Sequence, residues 1–146
     1  MNGVCSPAAI VVGIDGSPSS LRAGAYAAGL ARRQHARLVA VYARAQPGGL
    51  LAVVDTSGAA VATTMEIQDQ IETELVAAAR TQLTRDVDAQ LLVRFGDPFT
   101  VLCEVAREVQ AGTVIVGRSD SLAHRIAGSL ALRLVKCGRW PVTVVP

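Results

Sequence analysis

The chain is predicted to fold as an α/β domain, a five-stranded parallel sheet with helices on both faces. Three observations carry this expectation. Short β-branched runs alternate with longer helical stretches along the whole chain, and such alternation builds a parallel sheet through right-handed crossovers. Most of the short runs are apolar at consecutive positions, as strands covered on both faces must be. The chain has 146 residues, of which 51% are hydrophobic and 18% charged, with a mean hydropathy of +0.37. That is enough apolar surface for one core without metal or disulfide support. No internal repeat or linker interrupts the pattern, so residues 1–146 are read as one domain.

Each element has its own justification. The first strand is expected over Ala8–Ile14. Ser17 or Ser19 then caps a helix running to about Gln34, because a serine oxygen accepts from the free N–H groups of a first turn. Leu38–Tyr42 is the second strand. The stretch from Arg44 to about Thr63 is irregular, with Pro47, Gly48, Gly49 and Gly58 around the apolar run Leu50–Val54. A connection of that length is a lid, a partner contact or a short added strand. From Met65 to about Arg85, Ile67, Ile71, Leu75, Ala79 and Leu83 recur at four-residue steps and predict one buried helical stripe. Gln90–Phe95 is the third strand. Asp97-Pro98 pairs a capping carboxylate with proline at the first helical position, and the helix it opens puts Val101, Leu102, Val105 and Val109 on one face. Thr113–Val116 is the fourth strand. Gly128-Ser129 opens a last helix with Leu130, Leu134 and Cys137 inward; Gly138 ends it, and Pro141 bars continuation into the fifth strand, Val142–Val145.

Composition also excludes partners. A formal charge of +2 and a pI near 8.6 are too mild to imply nucleic acid or a membrane surface. No run approaches the length of a bilayer span, and the N-terminus lacks the basic region of a secretory signal. Cys5, Cys103 and Cys137 are odd in number and far apart, which suits neither zinc nor a disulfide framework. A cytoplasmic protein is expected, with Cys103 and Cys137 buried and inert and Cys5 open to oxidation.

Doubly wound sheets bind ligands beyond the carboxyl ends of their strands, where the strand order reverses. Two such ends carry unusual residues: Gly13-Ile14-Asp15-Gly16-Ser17 and Gly117-Arg118-Ser119-Asp120. Glycine lets backbone approach an anion, and a helix N-terminus at Gly128-Ser129 offers N–H groups. Arg118, Arg125, Arg133, Lys136 and Arg139 face a single acid, Asp120, so a polyanion would be welcome. The plainer readings are turn glycines, a solvated arginine face, and Asp15 as a turn residue beside a cap. No Walker A or Gly-x-Gly-x-x-Gly pattern occurs, and Gly117–Ser121 lacks the closing glycine of a nucleophile elbow. His35 and His124 are too separated to suggest a ligand pair; His35 is expected in a helix-to-strand turn. With no evident base, nucleophile or metal cluster, catalysis beyond weak ATP hydrolysis is not expected.

Four stretches together resemble the universal stress protein family along essentially the whole chain. Ile10-Val11-Val12-Gly13-Ile14-Asp15-Gly16-Ser17 is similar to the family's first strand and aspartate turn. Gly96-Asp97-Pro98 resembles its Gly-x-Pro entry to the third helix, and Thr113-Val114-Ile115-Val116-Gly117 its fourth strand. Gly128-Ser129 with Trp140-Pro141-Val142-Thr143-Val144-Val145 resembles its closing helix and strand. Order and spacing carry the resemblance, since no single motif is specific. It implies a Rossmann-like fold of the adenine-nucleotide α-hydrolase type. It also implies a homodimer with Val142, Thr143, Val144 and Val145 at the interface, which would cover an edge otherwise prone to aggregation.

Family members that bind ATP are similar in carrying Gly-x-x-Gly and, further on, Gly-Ser or Gly-Thr. Gly117 matches the first glycine, followed by Arg118, and Gly128 with Ser129 matches the last pair. Asp120 stands where the middle glycine belongs, and the seven residues between Asp120 and Gly128 are two fewer than the pattern. A carboxylate there repels a triphosphate or, alternatively, holds Mg²⁺. Asp15 matches the family aspartate near adenosine, and Val41 its apolar wall for the base. The resemblance thus implies a site of Asp15, Val41, Gly117, Arg118, Gly128 and Ser129 for ATP or AMP, with Mg²⁺ only alongside ATP. The alternative is a nucleotide-free interaction module acting through its dimer surface and the 44–63 stretch.

Overall fold

The structure is a computed structural model that describes residues 8–44, 59–82, 86–119 and 130–146. Its elements are β1 (Ala9–Gly13), α1 (Pro18–Gln34), β2 (Leu38–Arg44), α2 (Ala59–Gln82), β3 (Ala89–Phe95), α3 (Pro98–Glu108), β4 (Ala111–Gly117), α4 (Leu130–Cys137) and β5 (Val142–Val145). The five strands form one sheet in the order β3-β2-β1-β4-β5, every pair parallel. The expected architecture is present.

Alternation along the strands sorts the core into two layers. Ile10, Val12, Leu38, Ala40 and Ile115 face α1 and pack on Ala23, Ala27, Ala28 and Ala31. Val11, Val39, Val41, Val114 and Val116 face the other way, onto Val101, Leu102, Val105 and Ala106 of α3 and Leu134 of α4. Alanine lines the inner side of α1, so this helix lies close against the sheet. Arg44 shares the parity of Ala40 and reaches Asp69 and Glu72, which puts α2 on the α1 side. Right-handed crossovers demand the same arrangement: β1-α1-β2-α2-β3 steps one way across the sheet, β3-α3-β4-α4-β5 the other. The reversal falls between β1 and β4.

The capping expectations hold. Ser17 Oγ accepts from Ser20 N–H (3.2 Å), with Pro18 at the first helical position, and Asp97 Oδ2 accepts from Thr100 N–H (3.1 Å), followed by Pro98. His35 ends α1 with a left-handed φ of 51°, in the turn expected for it. Gly138 follows α4 at φ +64°.

The structure corrects several boundaries. Helix α2 is described over Ala59–Gln82, so residues 59–63 of the expected irregular stretch are helical; residues 83–85 of the expected helix lie outside the described residues. The alanines after Gly58 are strong helix formers, but they lie outside the apolar stripe that marked the helix. Leu50–Val54 lies outside the described residues. Within the stripe, Leu75 is buried whereas Ile67 is exposed. A four-residue step overshoots a 3.6-residue turn by about 40°, so Ile67 has rotated away from the face that Leu75 buries. Strand β2 continues through Ala43 and Arg44, which pair with Arg94 and Phe95. Strand β4 begins at Ala111 because Gly112 is an extra residue in its register with β1, between Ala9↔Ala111 and Ile10↔Thr113. Cys103 and Cys137 are half-buried, not fully buried. They sit at the margin where α3 meets α4, and burial together with the neighbouring Cys137 pushes the Cys103 thiol above its usual range.

Candidate functional site

Above the reversal of strand order lies a cavity of about 360 Å³. The ends of β1, β2 and β4, the first turns of α1 and α3, and one side of α4 enclose it. Asp15, Val41, Gly117 and Arg118, read separately from the sequence, all line this cavity. Gly128 and Ser129 lie outside the described residues, as do Asp120, His124 and Arg125. A wider hollow of about 730 Å³ opens at the opposite end of the sheet, among His35, Arg37, Asp86 and Asp88. Helix C-termini, with their negative dipole ends, face that hollow, which makes it the poorer place for an anion.

The β1–α1 turn is held by its own hydrogen bonds. Ile14 N–H donates to the Val41 carbonyl (2.9 Å), tying the turn to the end of β2. Asp15 Oδ1 accepts from Ser17 N–H (2.9 Å), and Asp15 N–H donates to Ser20 Oγ (3.2 Å). The Ser20 hydroxyl in turn donates to the Ser17 carbonyl (3.0 Å). Crowding pushes the Asp15 carboxyl up, but the hydroxyl and N–H of Ser17 and the hydroxyl of Ser20 outweigh it and hold the group below the usual aspartate range. Asp15 is therefore a fixed anion at the cavity, and its side chain is exposed. Gly16 takes φ +84°, and a Cβ there would lie 2.9 Å from Ile71 Cγ2. Only glycine suits this turn, and through it α2 packs against the site.

Val41 is 1% exposed and forms apolar floor. Gly117 ends β4 directly above the first turn of α1: a Cβ on it would stand 2.6 Å from the Ser19 carbonyl carbon and 2.7 Å from Ser20 N. Close backbone packing thus explains this glycine without any ligand. Arg118 N–H donates to the Val145 carbonyl (2.7 Å), extending the β4–β5 ladder to the cavity rim.

The sequence reading missed a further side of the cavity. Asp97, Phe99, Leu102 and Arg133 also line it. Arg133 Nη1 donates to Asp97 Oδ1 (3.2 Å), and its guanidinium carbon lies 4.3 Å from the centre of the Phe99 ring. Exposure is 47% for the Arg133 side chain and 48% for that of Asp97. Burial pushes the Asp97 carboxyl up, but the Thr100 N–H and hydroxyl and Arg133 more than offset it, so it sits below the usual range. The sequence marks Asp97 as a cap and Arg133 as one of a basic set. What joins them is the crossover α3, which returns from β3 over β2 and β1 and so brings its N-terminus to the cavity. Lys136 and Arg139, from the same basic set, are exposed and do not line it. Among the described residues, no group of three or more His, Cys, Asp or Glu side chains could hold a metal ion.

Val142, Thr143, Val144 and Val145 form β5, which pairs with β4 along one edge only. Val144 is 43% exposed, and Leu132 and Val135 of α4 are exposed as well. Among the described residues, no helix is long and apolar enough to cross a membrane.

Comparison with known proteins decides the family. The model of the universal stress protein family matches residues 8–146. The chain belongs to the universal stress protein family. Solved members share its fold. Universal stress protein UspA from Lactobacillus plantarum superposes with a TM-score of 0.74 at 20% identity, covering 97% of this chain and 99% of its own. A universal stress protein in complex with cAMP gives 0.62 at 24% identity, with 96% and 97% covered. The universal stress protein from Archaeoglobus fulgidus in complex with dAMP gives 0.55 at 23%, with 95% and 98% covered. No curated protein sequence matches the chain.

Proposed function

We propose that this universal stress protein binds an adenine nucleotide, ATP or AMP, in the cavity between β1 and β4 and acts as a dimeric, non-catalytic cytoplasmic stress-response module. One observation carries the reading: Asp15, Val41, Gly117 and Arg118, from three different strand ends, line a single cavity at the reversal of strand order. An apolar floor at Val41, an acceptor at Asp15 and a cation at Arg118 suit a base, a ribose hydroxyl and a phosphate in turn. The complexes of family members with cAMP and dAMP support the same ligand class. Gly128 and Ser129 are assigned to the phosphate side with Gly117 and Arg118. Mg²⁺ would accompany ATP only. A homodimer through Val142–Val145 is supported by the open edge of β5, the exposed Val144 on it, and the exposed Leu132 and Val135 of α4.

Calorimetric titration with ATP, AMP and cAMP at millimolar concentration tests the binding. Heat for at least one is expected. Silence for all three overturns the proposal and leaves the nucleotide-free interaction module as the reading.

A further inference from the structure

We propose that Arg133 is a second phosphate-recognising cation of the cavity beside Arg118, and that Asp97 occupies it while no ligand is bound. The inference deepens the nucleotide reading above and rests on it. Arg133 is held in place before any anion arrives. Its guanidinium carbon lies over the Phe99 ring, 4.3 Å from the centroid, a cation–π contact that holds the group at the cavity wall. One Nη1 hydrogen bond, 3.2 Å long, runs to Asp97 Oδ1, and among the described residues the guanidinium makes no other.

That bond is easily exchanged. It is a single contact between two half-exposed groups, a kind that contributes little. Asp97 cannot follow Arg133 into the cavity, because its other oxygen, Oδ2, is engaged as the helix cap by Thr100 N–H (3.1 Å) and Thr100 Oγ1 (3.1 Å). A phosphate offers what the single carboxylate contact does not: two oxygens matched to a guanidinium edge. Arg133 therefore turns from a monodentate to a bidentate partner when a phosphomonoester enters, and Asp97 stays behind as a fixed negative charge. Asp97 thereby weakens phosphate binding and sets a threshold for it. The preferred ligand is a nucleotide rather than a nucleoside, and Arg133 contributes to that preference.

The experiment measures affinities of the full chain for adenosine and for AMP, side by side, in the wild type, R133Q and D97N. Arg133 is half-exposed and asparagine caps a helix as well as aspartate, so both variants keep the fold, as circular dichroism would verify. The wild type should bind AMP more tightly than adenosine. R133Q should lose about tenfold in AMP affinity while adenosine affinity stays unchanged. D97N should shift the other way, raising AMP affinity several-fold with adenosine again unchanged. An AMP affinity that R133Q leaves unchanged overturns the assignment, as does a wild type that binds both ligands equally. Those results leave the nucleotide reading standing. A wild type that binds neither ligand overturns this assignment, and silence for ATP and cAMP as well overturns the nucleotide reading with it.

Discussion

Gly117 and Ser19 meet backbone to backbone. A side chain on Gly117 would place its first carbon 2.6 Å from the Ser19 carbonyl carbon. The contact joins the end of β4 to the first turn of α1, and it is how Asp15 and Arg118 come to share a rim. Residues more than ninety positions apart in the chain are set beside each other by one missing methyl group.

Gly117→Ala should accordingly destabilise the protein by about 1–3 kcal/mol, the usual cost of forcing a group into packed space. All three atoms it would strike belong to backbone and have no rotamer in which to yield. Urea denaturation should show a lower midpoint with an unchanged slope. Stability equal to wild type would mean that the first turn of α1 moves freely away from β4.

Arg44 ties α2 to the sheet. It is buried at the end of β2, and its guanidinium donates to Asp69 Oδ1 (2.7 Å), Glu72 Oε2 (2.9 Å) and Gln68 Oε1 (3.2 Å), with the Phe95 ring 5.2 Å away. Its own burial opposes the charge, and the two carboxylates more than restore it. Removing a shared cation leaves two carboxylates facing each other, whereas removing one carboxylate leaves a pair. Arg44→Ala should therefore lower Tm more than Asp69→Asn does, as differential scanning calorimetry would register. Equal losses would contradict the shared role.

The acid limb of stability has identifiable sources. Asp15 and Asp97 are both held below the ordinary aspartate value of 3.8 in the folded state. A depressed carboxylate contributes stability that is fully present above its unfolded value and disappears as pH falls through its lower folded one. Stability should thus begin to fall below about pH 4 on this account. Asp97→Asn keeps the cap and abolishes its share, so the urea midpoint should drop less between pH 6 and pH 3 in the variant than in the wild type. An identical drop would remove Asp97 from the account.

The open edge of β5 gives a prediction for assembly. Val144 is exposed on the edge strand, and Leu132 and Val135 of α4 are exposed as well. A lysine on an edge strand opposes further pairing through its charge. In sedimentation analysis the wild type should run as a dimer and Val144→Lys as a monomer. A monomeric wild type would count against the proposed interface.

Local patterns along the chain reveal the elements and their order. Strands show in runs such as Ile10-Val11-Val12, and caps in Ser17-Pro18 and Asp97-Pro98, because their signals are local: side-chain period, a donor satisfied within three residues, a fixed proline φ. The sequence misplaced the start of α2 and of β4, where alanine and glycine carry no apolar period. It also named Asp15, Gly117 and Arg118, since each stands at or just beyond the carboxyl end of a strand, where such sheets bind, and the family resemblance added Val41. Only the tertiary structure decided that Gly117 is glycine for the sake of Ser19, and that Arg133 reaches Asp97 and Phe99. Those contacts link β4 to α1 and α4 to α3, and no local period records them. They exist because the crossovers reverse between β1 and β4 and carry α3 back across the sheet, so that groups remote in the chain close over one cavity.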